Sequence, residues 1–258
     1  MTEKIKITVA IIAKNEEKKI AKCLESVRWA DEVVVVDGFS QDKTVEIANS
    51  YGAKVIQHKF TGSFADERNV GMDSARNDWV LHIDADDVVT EVFRVKLELA
   101  LAGNEDMVVY KFRRKNFFLG HPMDHGGFHH YIPNLVNRRF ARYEGAVHEI
   151  PVYRGRAGVI EADIEHFPFD SIAQFVDRQN RYTDIAARGM LKDNGILHES
   201  EIKKRMLARA FKAFWKSYVK KQGYREGFYG LLFAILFSFI EFAKWAKYWE
   251  LTKKGNNA

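Results

Sequence analysis

The chain has 258 residues, 47% hydrophobic and 29% charged, which excludes intrinsic disorder and suits one large domain or two small ones. A single cysteine, Cys23, excludes an internal disulfide. The net charge of +5 admits nucleic acid, anionic lipid or phosphorylated small molecules as partners.

Met1 to Lys6 runs directly into a strand-like segment and lacks the apolar region and cleavage site of a signal peptide, so the cytoplasm is the expected location. Ile5 to Ala13 is a β-branched, apolar run, the pattern of a buried parallel strand. It ends at Lys14-Asn15-Glu16-Glu17, where Asn15 is a plausible helix cap and the acids suit a first helical turn. Ile20, Leu24 and Val27 then recur at helical spacing. Glu32 to Asp37 predicts a second buried strand, and Ser40 a cap for a helix reaching Ser50, stopped by Gly52. Ala53 to Gln57 is a third strand. Ser63 predicts a capped helix through Ala75, with Asp66 in the reciprocal position.

Trp79 to Ile83 is the fourth strand, and Asp84-Ala85-Asp86-Asp87 follows it. Crowded carboxylates repel, so solvent, a basic partner or a divalent cation should compensate them. Two readings stand here: a metal that holds a phosphorylated substrate, or a solvated acidic turn before the next helix. Strands alternating with helices imply right-handed βαβ units and a parallel sheet. Asn15, Glu16, Asp37 and Asp84 to Asp87 all follow strand ends, the edge where open α/β sheets bind ligands. That convergence favours a nucleotide site. Neither G-x-G-x-x-G nor G-x-x-x-x-G-K-[ST] is present, so dehydrogenase and P-loop readings lose support.

Beyond this region, Met107 to Phe112 reads as a strand and Lys115 to His130 as a Gly-, His- and aromatic-rich loop over the site. Leu135-Val136 and Tyr143 to Glu149 suggest further strands. The pattern turns to continuous helix near Pro168 to Ser171, with helices expected to about Leu191, from Glu199 to Lys221, and from Arg225 onward. The apolar run Gly227 to Ile240 is shorter than the roughly 20 residues that span a bilayer. Lys220, Lys221, Arg225, Lys244 and Lys247 flank it, a composition for an interfacial helix on an anionic leaflet or, alternatively, a core or homo-oligomer helix.

Ile11 to Glu17, Val36 to Thr44, Ala65 to Asn69 and Asp84 to Asp87, in this order, resemble the sugar-nucleotide half of family 2 glycosyltransferases over roughly residues 5 to 105. The chain departs from the usual Asp-Asp-Gly-Ser by losing an acid and inserting Phe39, and replaces the usual Pro-x-Tyr-Asn by Ile12-Ala13-Lys14-Asn15. Both departures, with Gly145 to Glu149 and Asn180 to Thr183, resemble the bacterial lipopolysaccharide-core glucosyltransferase-like branch.

The resemblance implies an α/β GT-A fold, a mostly parallel sheet with flanking helices. It spans 1–170 (nucleotide-sugar side 1–105, acceptor side 106–170), followed by a helical region at 171–258 that contains the apolar run read above as an interfacial or core helix. It implies an inverting enzyme that moves a hexose, with glucose favoured, from a UDP-sugar to a lipopolysaccharide-core or other glycolipid or oligosaccharide acceptor. The cofactor would be Mg²⁺ or Mn²⁺, and no nucleic acid is expected.

By the same likeness Asp86 is the foremost metal ligand. Asp84 binds the ribose or shares the metal, and Asp37 recognises the uracil ring. Ala13, Asn15 and Glu16 help form the nucleotide pocket. Arg68 neutralises phosphate or grips the base, an exposed helix arginine being the bland alternative. His166 completes the metal shell or is structural. Asp87 is left between a site acid and a helix-side neighbour. The family's usual Glu-Asp base motif is not evident. Glu149 is the expected catalytic base, with Asp124, beside His121 and His125, as the second choice. A nucleotidyltransferase and a non-catalytic membrane or nucleic-acid module are the competing functions. The first would want a basic glycine-rich loop where Lys14 to Glu17 stands. The second leaves the strand-end acids unexplained.

Overall fold

A computed structural model describes residues 5–103, 106–128, 130–145 and 149–255. In chain order the elements are β1 (Ile7–Ala13), α1 (Ile20–Ser26), β2 (Glu32–Asp37), α2 (Thr44–Ser50), β3 (Lys54–Gln57), α3 (Phe64–Ser74), β4 (Trp79–Asp84), β5 (Asp87–Val89) and α4 (Glu91–Gly103). There follow β6 (Met107–Phe118), β7 (His121–Pro122), β8 (His130–Asn137), β9 (Ala141–Glu144), β10 (Ile150–Tyr153), β11 (Arg156–Phe169), α5 (Ile172–Asn194), α6 (Glu199–Phe214) and α7 (Gly227–Gly255).

The chain divides into two units, 1–115 with 130–166, and 116–129 with 167–258. The first is built on a mixed sheet of order β3-β2-β1-β4-β8-β6-β11-β5. Its parallel block, β3-β2-β1-β4, comes from the four β-branched runs. β1, β2 and β4 are buried on both faces, so they read as continuous apolar runs rather than alternations, whereas β3 is a half-exposed edge strand. Burying each Val, Ile or Leu side chain there contributes about 1.5–3 kcal/mol. Beyond β4 the described pairings are antiparallel: β8 lies against β4 and β6, and β5 against β11. A separate β9–β10 ribbon joins Ala141–Glu144 to Ile150–Tyr153.

Two expected helix starts move. Asn15 does not cap α1: it adopts a left-handed φ of 54°, and α1 begins later, at Ile20. Ser40 likewise precedes α2, which begins at Thr44. In both cases the polar side chain serves a loop-to-loop contact instead. Ser63 does occupy the N-cap of α3, but its hydroxyl donates to the Gly145 carbonyl, and Asp66 takes the Thr61 hydroxyl. Gly52, at φ 75°, ends α2 as expected.

The second unit is helical. Ser171 caps α5 by accepting from the Gln174 N–H, and α5 runs on to Asn194 before Gly195. The sequence assigns 116–129 to the first region, whereas its packing places it with the helices: Phe118, Met123 and Phe128 cluster with Phe169, Phe175 and Phe233. A second cluster joins Ala187, Ile202, Trp245 and Tyr248. Asn180 and Thr183 of α5 hold the Lys247 ammonium of α7 at 2.7 and 2.9 Å. Helix α6 continues as a π-helical segment over Trp215–Lys220. A turn through Gly223 leads to α7, where a Cβ at Gly230 would lie 1.8 Å from the Gly223 carbonyl oxygen, so only glycine fits. Past the apolar run, Glu241 pairs with Lys244 at 2.7 Å, one turn on, and the helix runs to Gly255.

Candidate active site

Registers of the parallel block carry the candidate residues to one edge. Ala13 pairs with Asp37 across β1–β2, and Ile12 with Asp84 across β1–β4, so Asp37 and Asp84 leave the sheet side by side with the β1 end between them.

The loops after β1 and β2 are tied together. The Asn15 N–H donates to Ser40 Oγ at 2.8 Å, the Glu16 N–H to Thr44 Oγ1 at 2.8 Å, and the Glu17 N–H to Asp42 Oδ2 at 3.1 Å. In return Asn15 Oδ1 accepts from the Gln41 N–H at 2.8 Å, and Glu17 Oε2 from the Lys43 N–H at 3.1 Å. Asp37 is fully buried, and its carboxylate accepts from the Ser40 N–H at 2.9 Å and from the Ser40 hydroxyl. Phe39, the inserted aromatic, sits beside it at a φ of 61° and 56% exposed.

The acids after β4 meet two buried arginines. Arg68, on α3, donates from Nε to Glu149 Oε1 at 2.8 Å and lies 3.3 Å through Nη2 from Asp84 Oδ1. Arg114, on β6, reaches Asp84 Oδ2 at 3.0 Å and Asp87 Oδ2 at 2.6 Å. Burial opposes the ionisation of Asp84, but Arg114, Arg68 and His166 outweigh it and hold the carboxyl well below the usual carboxylate range. Asp84 is therefore a carboxylate that both arginines already share. Asp87 is not a helix-side acid. It opens β5, is fully buried, and accepts the Asp84 N–H at 2.8 Å.

The β5–β11 register sets His166 opposite Asp87. His166 Nδ1 lies 2.9 Å from Asp87 Oδ1 and 3.2 Å from Asp86 Oδ1. Burial, the largest influence, and Arg114 would lower the imidazole pKa, but Asp86 and Asp87 together outweigh them and raise the value to about 9. Ligand atoms of Asp86, Asp87 and His166 lie within 4.8 Å of one another. Asp87 Oδ1 and His166 Nδ1 are buried with no hydrogen-bond partner of good geometry. Two carboxylates and an imidazole, with orphaned donor atoms converging, fit a Mg²⁺- or Mn²⁺-sized cation. Among the described residues this is the one such cluster, and it takes in Asp87 where the sequence reading has Asp84.

The other candidates divide. Glu149 enters the site through Arg68, while 146–148 of the same motif lie outside the described residues. Asp124 belongs to the second unit, next to His125, whose backbone N–H donates to Glu226 at 2.8 Å.

Sequence reasoning missed Arg114 and Glu67. Arg114 shares the buried face of β6 with Phe112 and Phe118, and an arginine in the apolar phase of a strand was the available signal. Glu67 is buried beside Arg68, and burial pushes its carboxyl up to about 7 against the pull of Arg68 and Lys14.

Residues 8–163, more than half of the chain, match the glycosyl transferase family 2 domain. The chain belongs to that family. Its α/β sheet with flanking helices and a C-terminal helical region is the GT-A architecture expected for a family 2 member. An uncharacterized glycosyltransferase of Rickettsia typhi is 29% identical to this family 2 chain, over 98% of it and 89% of the relative. The lipopolysaccharide core biosynthesis glycosyltransferase LpsC of Rhizobium meliloti is 25% identical over 72% of both chains. Among solved structures, S. aureus TarS 1-349 in complex with UDP-GlcNAc covers 98% of this chain and 92% of its own at 16% identity, with a TM-score of 0.47. Glucosyl-3-phosphoglycerate synthase of Mycobacterium tuberculosis, in complex with Mn²⁺, UDP and glucosyl-3-phosphoglycerate, is 24% identical over 44% of each chain, with a TM-score of 0.36. The present chain thus matches less than half the length of that synthase. Family membership decides against the nucleotidyltransferase and non-catalytic readings.

Proposed function

We propose that this family 2 enzyme is an inverting, metal-dependent transferase of a hexose, glucose first, from a UDP-sugar to a lipopolysaccharide-core or related glycolipid or oligosaccharide acceptor. The observation that carries this reading is the meeting of Asp86, Asp87 and His166 beside the Asp84–Arg68–Glu149 chain, at the edge where Asp37 also emerges. The acceptor class is supported by the likeness to LpsC and by the sequence motifs.

The chemistry follows from charge. Breaking the anomeric C–O bond leaves negative charge on the departing diphosphate. Asp86, Asp87 and His166 would hold a divalent cation, which would supply Lewis-acid stabilisation of that charge. Arg68 is the cation best placed to exchange a protein carboxylate for a phosphate oxygen, because only part of its guanidinium is engaged: its buried Nη1 has no hydrogen-bond partner. Arg114 stays with Asp84 and Asp87 and fixes their orientation. Glu149, released from Arg68 as the phosphates arrive, takes the proton of the attacking hydroxyl. Asp37 and the tied loops hold the uridine. Ser40 fixes the Asp37 carboxylate in one orientation.

The test is UDP release from a panel of UDP-hexoses, with and without a lipopolysaccharide-core oligosaccharide, in Mg²⁺, Mn²⁺ or chelator. Acceptor-stimulated release that needs the cation is expected, strongest with UDP-glucose. Full turnover in chelator, or in Asp86→Ala, would remove the metal role. Preference for another sugar would replace glucose and leave the site reading intact.

A further inference from the structure

Helices α6 and α7 form an antiparallel hairpin with a fixed register. Ser238 Oγ donates to the Ala210 carbonyl at 2.8 Å, Arg205 lies over the Trp245 ring at 5.7 Å, and Lys253 pairs with Glu199 at 2.6 Å. Leu207 and Phe211 on α6 and Trp215 at the start of its π-helical continuation follow one another at four-residue spacing and are exposed, Phe211 to 67%. On α7, Phe228, Ile235 and Phe239 are exposed in the same way, Phe228 to 73%. At about 100° per residue from the Ala210–Ser238 contact, both stripes turn to the same side of the hairpin, along its half nearer the turn. Six exposed apolar side chains gathered on one side of a hairpin contrast with the singly scattered apolar residues of an ordinary surface.

On the α6 side of this face the charges have one sign. Between Ile202 and Arg225 there are nine Lys or Arg residues and no Asp or Glu. Lys203 and Lys212 are exposed on either flank of the α6 stripe, with Lys204 inside it. Two copies of this face brought together would set cation against cation, which disfavours a second copy of the chain as the occupant. Nor does α7 stand free to cross a bilayer. The stretch 223–253, which runs from the turn into α7, is long and apolar enough, with a mean hydropathy of 1.6 in the best window and only 17% of that window buried. Its other side, however, is held by Phe233 in the aromatic cluster and by Trp245 and Tyr248 against α5 and α6. A helix docked along one side and bare and apolar along the other, with cations at the borders, suits the plane between headgroups and acyl chains.

We propose that the outer face of the α6–α7 hairpin docks on an anionic lipid leaflet. Aromatic and aliphatic side chains enter the acyl boundary, and the flanking lysines reach headgroup phosphates. This inference stands apart from the proposed chemistry, since nothing in it uses the active-site residues.

The test is co-sedimentation of the full chain with phosphatidylcholine vesicles and with mixed phosphatidylcholine–phosphatidylglycerol vesicles. Two variants accompany it: Lys203→Glu/Lys204→Glu/Lys212→Glu, and Phe211→Ser/Phe228→Ser/Phe239→Ser. All six side chains are exposed, and unchanged melting curves certify the fold. Wild type should partition at least about tenfold better onto the anionic vesicles, and less so in high salt. The charge variant should lose roughly a hundredfold. The apolar variant should lose about tenfold or more on anionic vesicles. Equal partition onto both vesicle types, wild-type binding by either variant, resistance to alkaline extraction, or a dimer in solution that the serine variant dissolves would each overturn the proposal.

Discussion

Arg68 holds Glu149 through a 2.8 Å contact from Nε while its Nη2 lies 3.3 Å from Asp84. One guanidinium thus restrains the expected base and a strand-end acid together. Glu149→Gln should keep the geometry but lose the proton acceptor, cutting kcat by about 10²–10⁴ with the donor KM little changed. Arg68→Met should raise the donor KM. The Arg68/Glu149 pair should show a coupling of about 0.5–3 kcal/mol in a double-mutant unfolding cycle, and saturating UDP should shrink it. Steady-state kinetics and denaturant titrations read these quantities. A Glu149→Gln enzyme with wild-type kcat would move the base elsewhere.

Arg114 is a matter of stability before catalysis. It faces Asp87, which has no exposed surface, and Asp84, which the same Nη2 touches. Arg114→Met takes one of two cations from a fully buried carboxylate, leaving it only His166, and should cost about 3–5 kcal/mol. The urea midpoint should fall at constant m. A loss below about 1 kcal/mol would mean that another group neutralises Asp87.

Cation binding can be measured without turnover. Mn²⁺ should raise the melting temperature of the wild-type protein, with a gain of about 4 kcal/mol at a thousand times Kd. His166→Ala should abolish most of that rise, as should Asp86→Asn. A chelator should return wild type to the metal-free value. An equal Mn²⁺ shift in wild type and His166→Ala would exclude the imidazole as ligand.

Glu67 makes stability depend on pH. Burial raises its carboxyl to about 7 in the folded chain against an ordinary 4.5. Between these values the folded form binds more protons than the unfolded one, so stability falls as pH rises through this window. Glu67→Gln, which stays neutral, should lose less than wild type over the same range, by about 1–3 kcal/mol. Parallel profiles for the two proteins would show that Glu67 is ionised on folding.

Phe39 carries a left-handed φ on a bulky, exposed side chain next to Asp37. Such a conformation costs about 1–3 kcal/mol. Phe39→Gly should therefore raise the unfolding free energy. It should also weaken UDP binding by about 1–3 kcal/mol if the ring stacks on the base. Calorimetric titration of UDP decides between an aromatic kept for the ligand and one kept for nothing the site needs.

β1, β2 and β4 were legible because strands buried on both faces spell unbroken runs such as Val33 to Val36. Asp37, Asp84 and Asp86 were legible because they end such runs. What escaped depended on partners far away in sequence. Asp87 became a buried acid because β11 returns antiparallel to β5 and delivers His166, a pairing that no local pattern encodes. Arg114 sits in the polar run Arg113 to Asn116, beyond Phe112 where the apolar strand pattern ends. The helix caps failed for a related reason: Asn15 and Ser40 have the composition of caps, yet each found a better acceptor or donor across the loop pair.

That loop pair has a thermodynamic meaning of its own. The segments after β1 and β2 exchange hydrogen bonds in both directions, so they form a single stitched rim. A ligand meeting two independent loops would have to order both, at about 1–2 kcal/mol per residue fixed. Here folding has already done so. The Asn15, Glu16 and Gln41 amides should exchange slowly with deuterium before any nucleotide is added, and change little when it arrives.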